Sequence, residues 1–353
     1  MNATTCETAY LGVILHIYST KWIFISVDFV RCACSLQAMT NLEIIEADPS
    51  AKPQLPSAPA STRLTFLMCP PTLYEVAYII NPWMEGNLGK SSQVRALEQW
   101  QGLHVALSRL ASVLLVEPVA GSPDMVFTAN AGLARDGIVV VSNFHYPERR
   151  GEEPHFQRWF AEARYPVVNL PRGTSFEGEG DALFSSDGTT LWVGHGARTQ
   201  QASHATLAAV WPVDVQGLHL IDPRFYHLDT CFAPLADGSL LYFPPAFDAP
   251  SLDRIHAFYP PPACIAVGEQ DALSFACNAI SVGKALLINA ISAELDHSLR
   301  LRGFEVIQLA LDEFLKAGGA AKCLVMKLPS AVNIPAAPHD LGRIPTARQQ
   351  AAH

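Results

Sequence analysis

The stretch MVFTANAGLARDGIVVVS, residues 125–142, is two apolar runs joined at Asp136-Gly137. Asp-Gly between apolar runs is a strong hairpin signal, because both central residues of a type I′ turn take positive φ. The plan returns in DALFSSDGTTLWVG (181–194) at Asp187-Gly188 and in CFAPLADGSLLYFP (231–244) at Asp237-Gly238. It returns again in FACNAISVGKALLIN (275–289) at Gly283-Lys284. A recurrence of roughly fifty residues lies in the range of repeat architectures.

Helical patterns and single strands fill the intervals. SSQVRALEQWQGLHVALSRL (91–110) places Val94, Leu97, Trp100, Leu103 and Leu107 on one face and leads into SVLLVEPV (112–119). EEPHFQRWFAEA (152–163) opens on acidic residues, as a helix N-terminus favours, and leads to YPVVNLP (165–171). ELDHSLRLRG (294–303) leads to FEVIQLAL (304–311). The unit is hairpin, helix, strand. A last strand in AAKCLVMKL (320–328) is expected near the first, LTFLMCP (64–70). A ring of such units is an α/β fold, a β/α propeller. A single-sheet dinucleotide-binding fold is the competitor, but no strand is followed by GxGxxG opening a helix.

The 353 residues carry a net charge of −9 with no basic stripe, which argues against nucleic acid as a partner. Eight scattered cysteines form no CxxC pair, so reduced thiols in a cytoplasmic protein are expected, with no metal site. The apolar stretch 9–30 is interrupted by His16, Lys21 and Asp28 and lacks a basic leader, which fits neither a membrane span nor a secretory signal. Residues before Met39 read as upstream sequence from an early start. Residues 1–61 and 329–353 are expected to be poorly ordered, around a folded body at 62–328. The oligomeric state stays open, a homo-oligomer included.

Reactive groups gather in four loop stretches. SFEGEGDAL holds Glu177, Glu179 and Asp181; RFYHLDTC holds His227 and Asp229; GGAAKCLV holds Cys323; PDMVFTAN holds Asp124 and Asn130. Cys, His and acid together suit a thiol nucleophile with an acid/base partner. Singly, each has a bland alternative: a buried small cysteine, a satisfied histidine, an acidic turn. A propeller directs such loops to one central cavity, which raises the joint reading above the separate ones.

The set resembles the guanidine-modifying (amidinotransferase, or pentein) superfamily, from LMCPP at 67–71 to Cys323. FEGEGDAL is similar to its Glu-Gly-x-Gly-Asp element, HLDT (227–230) to its His-x-Asp element, and GGAAKC to its C-terminal nucleophile. The resemblance implies a five-bladed pseudosymmetric propeller. INPWMEGN (80–87), MVFTANAG (125–132) and ERRGEEP (148–154) are closer still to the arginine dihydrolase branch, near dimethylarginine dimethylaminohydrolase and arginine deiminase. Deiminases of the family carry an aspartate where this chain has Asn130. The fusion enzymes of the branch carry a second, dehydrogenase-like domain, and this chain is expected to work without one.

The resemblance implies a small guanidino substrate, arginine or a methylated arginine, and covalent thiol catalysis with no cofactor and no membrane. Cys323 is the implied nucleophile and His227 the acid/base; Glu177 and Asp229 are the carboxylates that hold the guanidinium, Glu177 counted as catalytic. Glu179 and Asp181 stand outside that core. Asn130 suits a substrate that turns from cationic guanidinium to neutral ureido group, since an amide both donates and accepts; the alternative is a turn cap. Asn81 is read as a contact for the amino-acid end, or as a turn residue before Pro82. Arg149, with Arg150 beside it, is read as a bidentate clamp for the α-carboxylate.

Overall fold

The computed structural model describes residues 63–329 in full, and the backbone alone over 8–17 and 21–30. The chain divides into two units, Met1–Ala60 and Ser61–His353. In the first, β1 (Thr8–Ile17) and β2 (Lys21–Val30) pair antiparallel, with Thr8 opposite Val30. The rest of the expected N-terminal extension and the tail from 330 onward lie outside the described residues.

The second unit repeats one plan around a ring of five three-stranded sheets. β3 (Thr65–Met68) runs through α1 (Gln93–Leu110) to β4 (Ser112–Leu115), parallel beside it. β5 (Gly132–Arg135) and β6 (Ile138–Val141) form a hairpin, and α2 (Pro147–Arg150) and α3 (Glu153–Glu162) carry the chain to β7 (Val167–Val168). β8 (Ala182–Phe184), β9 (Thr190–His195), α4 (Ser203–Val210) and β10 (Asp214–His219) repeat this. So do β11 (Phe232–Pro234), β12 (Leu240–Tyr242), α5 (Ala249–Phe258) and β13 (Cys264–Ala266). After α6 (Glu269–Leu273) come β14 (Ile280–Val282), β15 (Ala285–Asn289), α7 (Ala293–Leu301) and β16 (Glu305–Leu309). After α8 (Asp312–Leu315), β17 (Met326–Leu328) returns antiparallel to β3 with Met326 opposite Leu67, which closes the ring. The expected pairing of last strand with first is therefore present.

Middle strands are packed on both sides: β3, β12 and β15 are buried along their whole length. Their sequences are accordingly continuous apolar runs rather than alternating ones. In α1 the buried face is Ala96, Leu97, Trp100, Leu103, His104 and Leu107. Val94, in the first turn, is 40% exposed and does not join it. Each large side chain wholly withdrawn from water contributes about 1.5–3 kcal/mol. The turns differ in detail. At Asp136-Gly137 both φ angles are positive, +51° and +79°, as a type I′ turn requires. At the next two Asp-Gly sites only the glycine is left-handed (Gly188 +70°, Gly238 +89°). There the aspartate acts through its side chain: Asp187 Oδ1 accepts from Thr189 N, and Asp237 Oδ1 from Ser239 N.

Candidate active site

Four blades enter their first strand through a turn of the same form, an aromatic residue followed three positions later by a polar one: Phe127/Asn130, Phe176/Glu179, Tyr226/Asp229 and Phe275/Asn278. Asn130 N donates to Phe127 O and Asn278 N to Phe275 O in the same way. The fifth entry carries Lys322 and Cys323. These turns meet at the ring's axis and bury nearly all their polar side chains.

Cys323 is 4% exposed. Its Sγ lies 3.4 Å from Asp229 Oδ2 and accepts from Asn278 Nδ2 at 3.1 Å. Burial pushes the Cys323 thiol well up and Asp229 adds to this, against smaller opposing help from Ala320 N–H, Asn278 and Lys322. Both effects favour the thiol over the thiolate. Burial also raises the Asp229 carboxyl, to about 6, despite Lys322 and His227.

His227 sits between two carboxylates, Nε2 3.3 Å from Glu177 Oε2 and Nδ1 3.1 Å from Asp181 Oδ2. The Asp181 contact has ion-pair distance but is too bent for a proper hydrogen bond, so Nδ1 has no well-aligned acceptor. Burial pulls the imidazole down, but Asp181 and Glu177 together outweigh it and hold His227 up at about 9. Glu177 is fully buried. It accepts from Arg198 Nη1 at 3.0 Å and from His145 N at 3.1 Å. Burial pushes Glu177 up, but Arg198 and His227 overcome this and keep it well below the ordinary carboxylate range.

The Asn130 side chain does not cap its own turn. Its Oδ1 accepts from Arg149 Nη1 at 2.9 Å, and its Nδ2 donates to Glu177 O at 3.0 Å and stands 3.3 Å from His227 Nε2. Arg149 is buried, with its fork on Glu152 at 2.8 Å twice. Arg150 is exposed and donates to the Phe144 and His145 carbonyls. Asn81 Oδ1 caps the short turn Pro82–Met84 through Trp83 N and Met84 N, and its Nδ2 donates to Ala317 O.

A small cavity of about 10 Å³ lies among these groups. That is room for about one water. Cys323, His227, Asn130, Arg149 and Asn81 line it; Glu177 and Asp229 stand one layer behind. Two further charged groups line it. Arg198 is stacked between the rings of Tyr146 and Tyr226, 4.7 Å from each. Asp124 accepts from Tyr78 Oη through Oδ2 while its buried Oδ1 has no partner. A larger cavity of about 660 Å³ lies elsewhere on the ring, bounded by Lys322, Glu179 and Cys277. None of Cys323, His227, Asn130 or Arg149 lines it, so the small cavity is the one that belongs to the chemistry.

Asp181 was set apart from the core on sequence, and it stands directly against His227. Glu179, two residues earlier, turns the other way to Lys322 Nζ at 2.8 Å. Arg198 and Asn278 stand outside the four sequence motifs, and the structure adds both to the site. The signal for Arg198 was its slot: like Arg149 it lies between a blade's middle strand and its crossover helix.

A buried thiol, an imidazole between carboxylates and a polar axis through five blades are the parts of a thiol-nucleophile site. The chain belongs to the N,N dimethylarginine dimethylhydrolase family, whose eukaryotic description matches residues 84–329. It is 52% identical over 269 residues to the bifunctional arginine dihydrolase/ornithine cyclodeaminase ArgZ of Synechocystis sp., covering 76% of this chain and 38% of that one. It thus spans less than half of that relative's length. It is 40% identical over 264 residues to the N(G),N(G)-dimethylarginine dimethylaminohydrolase of Mycobacterium tuberculosis, covering 74% of this chain and 85% of that one. Its fold superposes on the N-terminal domain of cyanobacterial ArgZ, an asparagine-to-serine variant covalently bonded to a reaction intermediate. The TM-score is 0.75 at 52% identity, over 75% of this chain and 98% of that one.

Proposed function

We propose that the chain hydrolyses free L-arginine with two waters to ornithine, carbon dioxide and two ammonia. The observation that carries this reading is Asn130, a neutral amide that lines the cavity between Arg149 and His227. An aspartate there would match a guanidinium but would face a neutral ureido group without a counter-ion. The likeness to ArgZ supports the same reading.

Cys323 Sγ attacks the guanidino carbon, and Asp229, the carboxylate nearest the sulfur, takes the thiol proton. The substrate cation eases this ionisation, since a nearby positive charge lowers a thiol's pKa. His227, held protonated, delivers its proton to the departing ammonia as the C–N bond breaks. The imidazole then deprotonates a water, which attacks the thiouronium carbon and frees the sulfur, leaving a ureido group. A second attack expels the second ammonia and leaves a thiocarbamate. Water cleaves that to a carbamate, which loses carbon dioxide to give ornithine. Arg149 or Arg198 holds the α-carboxylate and Asp124 the ammonium at the far end of the substrate. Asn81 acts by tethering the loop over the cavity. The enzyme works in the cytoplasm, where its thiol stays reduced; among the described residues no helix is long and apolar enough to cross a membrane.

Product analysis with arginine tests the reading: ornithine is expected. Cys323→Ser and His227→Ala should each abolish turnover while the thermal melt is kept, and substantial residual activity in either removes the assignment. A second reading, hydrolysis of methylated arginine, is favoured by the family match over 84–329. Dimethylamine release from dimethylarginine, faster than ammonia release from arginine, would select it.

A further inference from the structure

Asn278 is wholly buried and uses its amide four times. Oδ1 accepts from Cys323 N at 3.1 Å and from Ala320 N at 3.2 Å. Nδ2 donates to Asp229 O at 3.1 Å and to Cys323 Sγ at 3.1 Å. Its backbone carbonyl accepts from Lys322 N, so the nucleophile's loop is fastened to this one residue at Ala320, at Lys322 and at Cys323 itself. The turn that presents it is set by Phe275, a non-glycine residue at φ +58°. An ordinary side chain rarely takes that conformation, and a site is where such backbone is kept.

We infer that Asn278 is the positioning residue of the nucleophile, a neutral side-chain donor that holds the Cys323 thiolate as it forms. The inference rests on the reading of Cys323 as nucleophile. The other charged or titratable groups facing the sulfur are poor at this task. Asp229 is anionic or shares the proton, and the Tyr226 hydroxyl donates to Gly318 O. Lys322 is committed to Glu179, and His227 is held by Glu177 and Asp181. The amide N–H of Asn278 is therefore the side-chain donor within hydrogen-bond reach of Sγ among the described residues. A neutral donor also suits a sulfur that must be a good leaving group once it has attacked, because it carries no charge that would bind the thiolate permanently.

A purely structural Asn278 would need its Oδ1 and the Nδ2 bond to the Asp229 carbonyl, and not the contact with Sγ. Two variants separate the roles. Asn278→Asp keeps an oxygen for the two N–H groups and loses the donor, with a charge added. Asn278→Ala removes the donor without adding charge. The readout is alkylation of Cys323 by iodoacetamide in the enzyme without substrate, followed by intact mass across pH, with kcat and KM measured alongside. Both variants should move the pH midpoint of alkylation upward and slow it by about 10- to 100-fold at neutral pH, the worth of a hydrogen bond to a charged partner. kcat should fall by a similar factor with KM changed little, and the aspartate variant should show the larger shift. A midpoint that rises in Asn278→Asp and stays in Asn278→Ala makes the effect one of charge and overturns the donor role. An unmoved midpoint in both overturns it outright. Should the alanine variant not fold, an unmoved midpoint in Asn278→Asp alone overturns it. Wild-type enzyme that turns over arginine after Cys323 is alkylated would instead sink the nucleophile assignment, a separate outcome.

Discussion

Asn130 is gripped at both ends of its amide, by Arg149 at Oδ1 and by the Glu177 carbonyl at Nδ2. Asn130→Asp keeps the Arg149 contact but turns a carboxylate oxygen toward the Glu177 carbonyl and His227. The imidazolium offsets that charge while the substrate is cationic, so the first ammonia should still leave. The neutral ureido group then lacks the amide donor, and losing one donor to a developing oxyanion costs about 10²- to 10³-fold in rate. Citrulline should therefore escape before the second hydrolysis. The citrulline-to-ornithine ratio from labelled arginine measures this, and an unchanged ratio leaves Asn130 without a role in product choice. The pH profile is a second residue-scale consequence. Asp229 is raised to about 6 and His227 to about 9. As pH falls through about 6 the thiol loses its base; as pH rises through about 9 the leaving ammonia loses its acid. kcat/KM should form a bell between those limbs, both belonging to the coupled site rather than to single residues. His227 also links pH to stability. Its folded pKa exceeds the unfolded value of about 6.5, so its contribution is complete below that value and is lost as pH rises through about 9. Unfolding by urea across this range measures the loss, and a rise in stability with pH would contradict the sign.

Two glycines show the strain at two kinds of turn, a hairpin within a blade and the entry to a first strand. Gly137, in the type I′ hairpin, has φ +79° and nothing within 4 Å of an added Cβ. Gly178 has φ +61°, and an added Cβ would lie 2.7 Å from both Ala129 O and Gly132 O. Gly137→Ala should therefore cost only the left-handed penalty, about 1–2 kcal/mol. Gly178→Ala should cost that and roughly 1–3 kcal/mol more for the overlap with the neighbouring blade's backbone. Urea melts of the two, side by side, check the order; equal losses would mean the blades part easily at this seam. The same elements show what could be read before the structure. Hairpins at Asp136-Gly137 and Asp237-Gly238 announced themselves because turn chemistry and apolar runs are local in sequence. His227, Cys323 and Glu177 were readable through motifs. Asp181 and Glu179 were not separable, since within one short 3₁₀ turn the first faces His227 and the second faces Lys322. Nothing in their spacing gives that direction. Asn278 lay in a hairpin already recognised, yet its importance comes from Cys323, 45 positions away. The aromatic-x-x-polar recurrence from Phe127 to Asn278 was the available signal.

At the scale of the molecule the ring is closed by its own end: β17 returns to β3, and it begins three residues after Cys323. The closing strand and the nucleophile thus share one short segment, and the Cys323 carbonyl accepts from Ala129 N on the next blade. All fifteen strands of the five sheets come from Thr65–Met68 through Met326–Leu328. Among the described residues, those before Met39 supply none of them, and β1 pairs with β2 in a separate unit. A protein beginning at Met39 should therefore keep kcat/KM and its melting temperature. A protein ending at Leu324 should not, because loss of β17 leaves the β3 edge unpaired and exposes Met326 and Leu328 partners in the core. Removal of a buried side chain of that size alone costs about 2–5 kcal/mol, a large fraction of the stability of an ordinary domain. Thermal melts and arginine turnover for both shortened chains, against the full one, make the comparison. A Met39 protein that is inactive, or that melts well below the full chain, would show that the ring depends on the segment before Met39 and would remove the boundary drawn at β3.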